Sequence, residues 1–192
     1  MHVNQLVEKL SNGNDQQAEA AVREFAAQGA NVIPDLGDLL SASDPNLRWW
    51  ATRALAEIED PRVPALMRSS LHDADSAVRQ CAALALRRQP YLQAVPDLIT
   101  LLDHEDRLLA RLAADALIAA GEAAVPAVLE VMQNGPRRSR LEAVRVLALI
   151  SDQRSIATLF AALDDPSSLI EYWADEGLER MGIGMFFYKP GG

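Results

Sequence analysis

The side chains able to do chemistry are few and scattered. His2, His72 and His104 are the only histidines in 192 residues, and Cys81 is the only cysteine. A single cysteine excludes an intramolecular disulfide and a thiolate metal cage. The one His-Glu dipeptide, His104-Glu105, has no second copy with which to complete a metal site. No Ser-His-Asp arrangement, glycine-rich phosphate loop or paired-carboxylate cleft follows from the spacings. Cys81 reads as a buried, inert thiol rather than a nucleophile. Arg137, Arg138 and Arg140 form a small basic cluster. It reads first as a solvated helix end, with a phosphate or acidic-partner contact as the alternative. No cofactor and no metal are expected.

Composition narrows the partners. The formal net charge of −9 argues against nucleic acid, whose binding is driven by Lys and Arg neutralising phosphates, and against an anionic membrane surface. Apolar residues make up 49% but aromatics only 5%, so a core must be built from Leu, Ala, Val and Ile. The opening "MHVNQLVEKL" lacks the basic and apolar regions of a signal peptide. No apolar run approaches the ~20 residues that span a bilayer. A soluble, cytoplasmic protein is the expectation.

The elements that must position these residues recur. Ala51, Ala82, Ala113, Ala143 and Ala174 fall in one column, at spacings of 31, 31, 30 and 31. Four residues on come Leu55, Leu86, Leu117, Leu147 and Leu178; four before stand Leu47, Val78, Leu109, Ser139 and Ile170. Apolar residues at i, i+4 and i+8 define a helix with one buried stripe, helix A. A second motif follows each copy: Ile33-Pro34, Val63-Pro64, Val95-Pro96, Val125-Pro126 and Ile156-Ala157 open helix B, with proline in the first turn, where its missing N–H costs nothing. Asp44, Asp75 and Asp106 stand where the next helix A needs an N-cap. The expected fold is all-α: a right-handed α-solenoid of about five to six helical hairpins. It forms a single repeat domain over residues 1–192. Its repeats start near 15, 44, 75, 106, 136 and 166, "VNQLVEKL" is a short capping helix, and 182–192 form a C-terminal cap or tail.

The stretch "DPNLRWWATRALAEIEDPRVPALMRSSLHDADSAVRQCAALAL" resembles the HEAT-like repeat of the phycobilisome-lyase type, through its Asp-Pro start, Val/Leu-Arg, Ala-Ala-x-Ala-Leu and Val-Pro-x-Leu signatures. The resemblance covers roughly Asp15 to Met181 and is specific for fold. The same repeat serves bilin lyase subunits, chaperone-like scaffolds, a metal-dependent hydroxylase and many binding modules. For the hydroxylase it implies His-Glu pairs in columns held here by Trp49-Trp50, Gln80-Cys81, Arg111-Leu112, Leu141-Glu142 and Tyr172-Trp173. No pair is present, which excludes that enzyme.

Register also separates the adjacent tryptophans. Successive helical residues point about 100° apart, so both cannot sit mid-stripe. Trp50 shares a column with Cys81, Leu112, Glu142 and Trp173, and it and Trp173 are expected in the core. Trp49 and Tyr172 belong to a mixed column at the helix rim, partly exposed, where packing on the neighbouring repeat and partner binding remain alternatives. On helix B the face opposite the buried side carries Asp35, Asp38, Ala65, Arg68, Asp97, Thr100, Ala127, Glu130, Thr158 and Ala161. In stacks of this type that row lines the concave surface. It is small-residued and mostly acidic, suited to a protein or a basic peptide segment, or else it is an ordinary solvated face. The tail "GIGMFFYKPGG" presents Met185, Phe186, Phe187 and Tyr188, either as an internal cap or as a docking strand for a second copy. The expected function is therefore a non-catalytic protein-interaction scaffold. The alternative, implied by the resemblance alone, is a bilin lyase subunit or phycobiliprotein chaperone-like factor.

Overall fold

The computed structural model describes residues 3–11 and 14–183. Twelve α-helices occur among them: α1 (Val3–Ser11), α2 (Asp15–Gln28), α3 (Ile33–Leu39), α4 (Pro45–Leu55), α5 (Val63–Ser70), α6 (Ser76–Arg88), α7 (Val95–Leu101), α8 (Arg107–Ala120), α9 (Val125–Asn134), α10 (Arg137–Ile150), α11 (Ile156–Ala162) and α12 (Ser168–Arg180). No strand is present among the described residues, and the architecture is an all-α solenoid. The A helices are the even-numbered ones, and the B helices are α3, α5, α7, α9 and α11. Two compact units divide the chain, Met1–Asp97 and Leu98–Gly192.

Local chemistry sets the helix boundaries. The side chains of Asp44, Asp75 and Asp106 accept hydrogen bonds from the N–H groups of Asn46, Ala77 and Leu108, at 2.9, 2.8 and 3.0 Å. These bonds satisfy donors that the first helical turn leaves unpaired. The later A helices lack this device. α10 starts after Pro136 and α12 after Ser167, neither with a side-chain cap bond. Proline occupies the first turn of α3, α5 and α9.

The three expected columns form the core except at Leu47, which is half-buried, and the alanines of the middle column are all fully buried. The buried face is wider than one stripe, because Ala54, Ala85, Ala116, Val146 and Gly177 are buried as well. Its width follows from helix A having neighbours on two sides: α4 packs on α2 and α6 in the first unit, α10 on α8, α9 and α12 in the second. At Gly177 the approach is closest, since an added Cβ would lie 2.8 Å from Ala148 Cα and 3.0 Å from Leu159 Cδ1.

Trp50 is 4% exposed and lies in the core. Trp49 is half-buried and meets Trp50 edge-on, with ring centroids 4.6 Å apart. The expectation for Trp173 needs correction, as it is half-buried rather than core. Its helix, α12, packs on α10 and α11 among the described residues. Tyr172, beside it, is exposed.

Arginines tie neighbouring repeats together. Arg62 bonds Asp60 and sends Nη2 to the Ala30 carbonyl at 3.1 Å; Arg154 bonds Asp152 and reaches the Glu122 carbonyl at 2.9 Å. Arg48 makes a two-pronged pair with Asp73, at 2.7 and 2.8 Å. Arg145, nearly buried on α10, pairs with Asp115 at 2.7 Å and Glu142 at 3.1 Å and donates to the Arg111 carbonyl. An arginine can be taken out of water in this way only when its donors are matched.

Candidate functional site

The outward face of the B helices presents the expected row. Asp35, Asp38, Ala65, Arg68, Thr100, Glu130 and Ala161 are exposed, while Asp97, Ala127 and Thr158 are half-buried. Helical geometry explains why: Ile33, Leu36, Val63, Met67, Leu98, Val125, Val128 and Leu159 turn inward, so their opposites must face out.

In the first unit the charges of this row are not all available. Asp97 accepts from Arg68 Nε at 2.5 Å and faces His72 Nε2 at 3.0 Å. Burial alone would raise the Asp97 carboxyl, but the hydrogen bonds from Arg68 and His72 outweigh it and hold it below the ordinary value. Arg68 and His72 border a depression of about 310 Å³ with Ala65, Ser69 and Tyr91. Asp35 and Asp38 have no ion-pair partner among the described residues, and they carry the free negative charge of this unit's row.

In the second unit the row opens into a cavity of about 400 Å³ between α9 and α11. Gln133, Arg140, Ala157, Thr158, Ala161 and Asp165 line it. Arg140 pairs with Asp165 at 3.2 Å, but its buried Nε has no hydrogen-bond partner among the described residues. Arg79 Nε, at the equivalent position in the first unit, is likewise buried without a partner among the described residues. Glu130, nearby on α9, accepts from Asn134 at 2.6 Å. Short side chains at Ala157, Thr158 and Ala161 leave room for a second backbone to come close.

The remaining candidates sort plainly. Burial pushes the Cys81 thiol up to about 11, so it carries no thiolate at neutral pH. No group of histidines, cysteines and carboxylates that could hold a metal occurs among the described residues. No helix of the described residues is long and apolar enough to cross a membrane. Trp49 lines a shallow groove with Pro45, Asn46, Asp75 and Ala77, apart from the B-helix face, and Tyr172 is likewise on an A helix. The structure does not bring these two aromatics to the row. Of the basic cluster, Arg140 turns to the B-helix cavity, while Arg137 and Arg138 stay exposed. Sequence reasoning missed the orphaned Arg140 Nε and the Arg68–Asp97–His72 cluster. The second was signalled only by residues 25 and 29 positions apart, close to one repeat.

A model of HEAT repeats matches residues 3–87. No curated protein matches the chain. Among solved structures, an engineered protein is 23% identical, with a TM-score of 0.55, covering 96% of this chain and 98% of that one. The complex of CpcE and CpcF of phycocyanin lyase from Nostoc sp. PCC7120 is 19% identical, with a TM-score of 0.57 over 95% of this chain and 77% of that one. A designed armadillo repeat protein in complex with the peptide (KR)4 is 18% identical, with a TM-score of 0.53 over 94% of this chain and all of that one (100%). HEAT repeats thus account for residues 3–87, and over nearly the whole chain the likeness to these solved structures is one of fold, an all-α solenoid of helical hairpins.

Proposed function

We infer that the protein is a non-catalytic interaction scaffold that takes basic polypeptide segments on the exposed B-helix face of each unit. The observation that carries this reading is the α9–α11 cavity of about 400 Å³, lined by small side chains and with the exposed Glu130 carboxylate on α9. Glu130 in the second unit, and Asp35 and Asp38 in the first, supply the charge that favours lysine or arginine side chains. A designed repeat protein of like fold binds the basic peptide (KR)4, which supports this use of the architecture.

An array of short basic peptides and neutral scrambles tests the reading. Wild type should retain basic peptides at low salt. The triple variant Asp35→Lys, Asp38→Lys, Glu130→Lys should lose them, and so should Ala161→Trp, which fills the cavity. Both variants should keep wild-type helicity, because the substituted positions are exposed. Capture of the same peptides by all three proteins, or of none by wild type, would overturn it. The bilin reading rests on the repeat signature and the likeness to CpcE and CpcF. It requires that adding a bilin to the protein change the bilin's absorbance spectrum.

A further inference from the structure

The N-terminal ends of the A helices carry the same groove twice, at the same register. In the first unit it is lined by Pro45, Asn46, Trp49, Asp75 and Ala77 and encloses about 290 Å³. Three repeats on, in the second unit, Arg137, Arg138, Leu141, Ser167 and Leu169 stand at those five positions. Arg107 joins them, and the cavity grows to about 380 Å³.

The chemistry of the two copies is inverted. In the first, the Asp75 carboxylate fills the helix end and bonds the N–H groups of Ala77 and Val78. In the second, Ser167 takes that place and makes no cap bond, and α10 also starts without one. Ser167 is only 9% exposed and lines the cavity, and its hydroxyl has no hydrogen-bond partner among the described residues. Arg107, Arg137 and Arg138 are all exposed and have no carboxylate partner among the described residues, although the protein carries a net charge of −9.

Two of the carboxylates close in sequence are engaged, and the exposed Glu105 does not line the cavity. Asp106 caps α8 through Leu108 and Leu109, and Asp165 pairs with Arg140. Glu171 sits in the first turn of α12 but does not line the cavity. Three guanidinium groups, a free hydroxyl and two uncapped helix starts all favour one guest, an oxyanion of high charge. Its lining is partly apolar: Leu169 is 56% exposed and Leu141 is half-buried. An exposed leucine in a cationic cavity fits an anion carried on a polypeptide better than a bare ion.

We propose that the Arg107–Arg137–Arg138 cavity binds a phosphoryl group on a partner polypeptide, with an adjacent apolar residue of that partner resting on Leu169. This site is separate from the B-helix face and stands whether or not that face binds peptides.

Calorimetric titration of the full chain tests it with three probes: a peptide in which leucines flank a phosphoserine, the same peptide unphosphorylated, and inorganic phosphate. The phosphopeptide should bind at least about tenfold more tightly than either of the others, as expected when charge-assisted hydrogen bonds and apolar contact act together. The double variant Arg137→Ala, Arg138→Ala should weaken it by at least about tenfold. Both residues are exposed, so unchanged circular dichroism confirms an intact fold. The triple variant of the B-helix face should bind it as wild type does. No binding of the phosphopeptide, equal binding by the double variant, or inorganic phosphate binding as tightly as the peptide would overturn the proposal.

Discussion

Emptying the Trp50 site removes an indole that is 4% exposed, while trimming Trp49 removes one already half in water. Trp50→Ala should therefore cost about 3–5 kcal/mol, the range for deleting a buried large aromatic, and Trp49→Ala clearly less. Urea melts of both variants check this, and equal losses would contradict the burial. Gly177 gives a prediction of opposite sign to ordinary helix chemistry. A glycine inside a helix usually gains about 1 kcal/mol on replacement by alanine. Here the new Cβ would press on the Ala148 backbone at 2.8 Å, so α12 must move off α10. Gly177→Ala should lower stability by about 1–3 kcal/mol, as overpacking does. A stabilised variant in the same melts would show that α12 shifts without cost.

Between helices, the Asp60–Arg62 and Asp152–Arg154 pairs recur as one device, once in each unit. Bonds from Arg62 hold the Asp60 carboxyl down at about 2, from an ordinary 3.8, and Arg154 does the same for Asp152. A carboxyl depressed in the folded state contributes its stability above the unfolded value and loses it as pH falls toward the folded one. The double variant Asp60→Asn, Asp152→Asn should be less stable than wild type at neutral pH. The gap should close between about pH 4 and about pH 2, as read from melting temperatures across that range. A gap that persists below pH 2 would assign the effect to something other than these charges. Much at this scale was legible in the sequence. The columns of Ala51 and Leu55 and the prolines of the B helices identified each hairpin, because periodicity and first-turn chemistry are local. What was not legible depends on distances across repeats: the extra width of the buried face, the loss of Asp97 to Arg68 and His72, and the Arg140 Nε without an acceptor. No spacing within one helix encodes those. Trp173 was misjudged for the same reason, since a shared sequence column does not fix how far other helices cover a side chain.

For the whole chain, the sequence "MFFY" at Met185–Tyr188 raises a question that lies outside the described residues. Leu178 is buried, yet Met181 and Trp173 are only half-covered at the far side of α12. Removing residues 184–192 should destabilise or aggregate the protein. Mass in solution before and after truncation separates two routes. A monomer that becomes aggregation-prone indicates an internal cap, whereas a dimer that becomes a stable monomer indicates a docking strand. Unchanged mass, solubility and melting temperature would contradict both.

The arginine ties have a kinetic consequence. The Arg62, Arg154, Arg48 and Arg145 bonds join residues between 25 and 34 positions apart. Loop-closure entropy grows only slowly with length, so each of these closures meets a similar barrier, and none must wait for a distant segment. Low contact order of this kind favours fast folding, with a nucleus able to start in any adjacent pair of repeats and spread by accretion. Damage to one pair should then reroute the nucleus rather than abolish folding. The chain's order of assembly is a property that substitution can move along it.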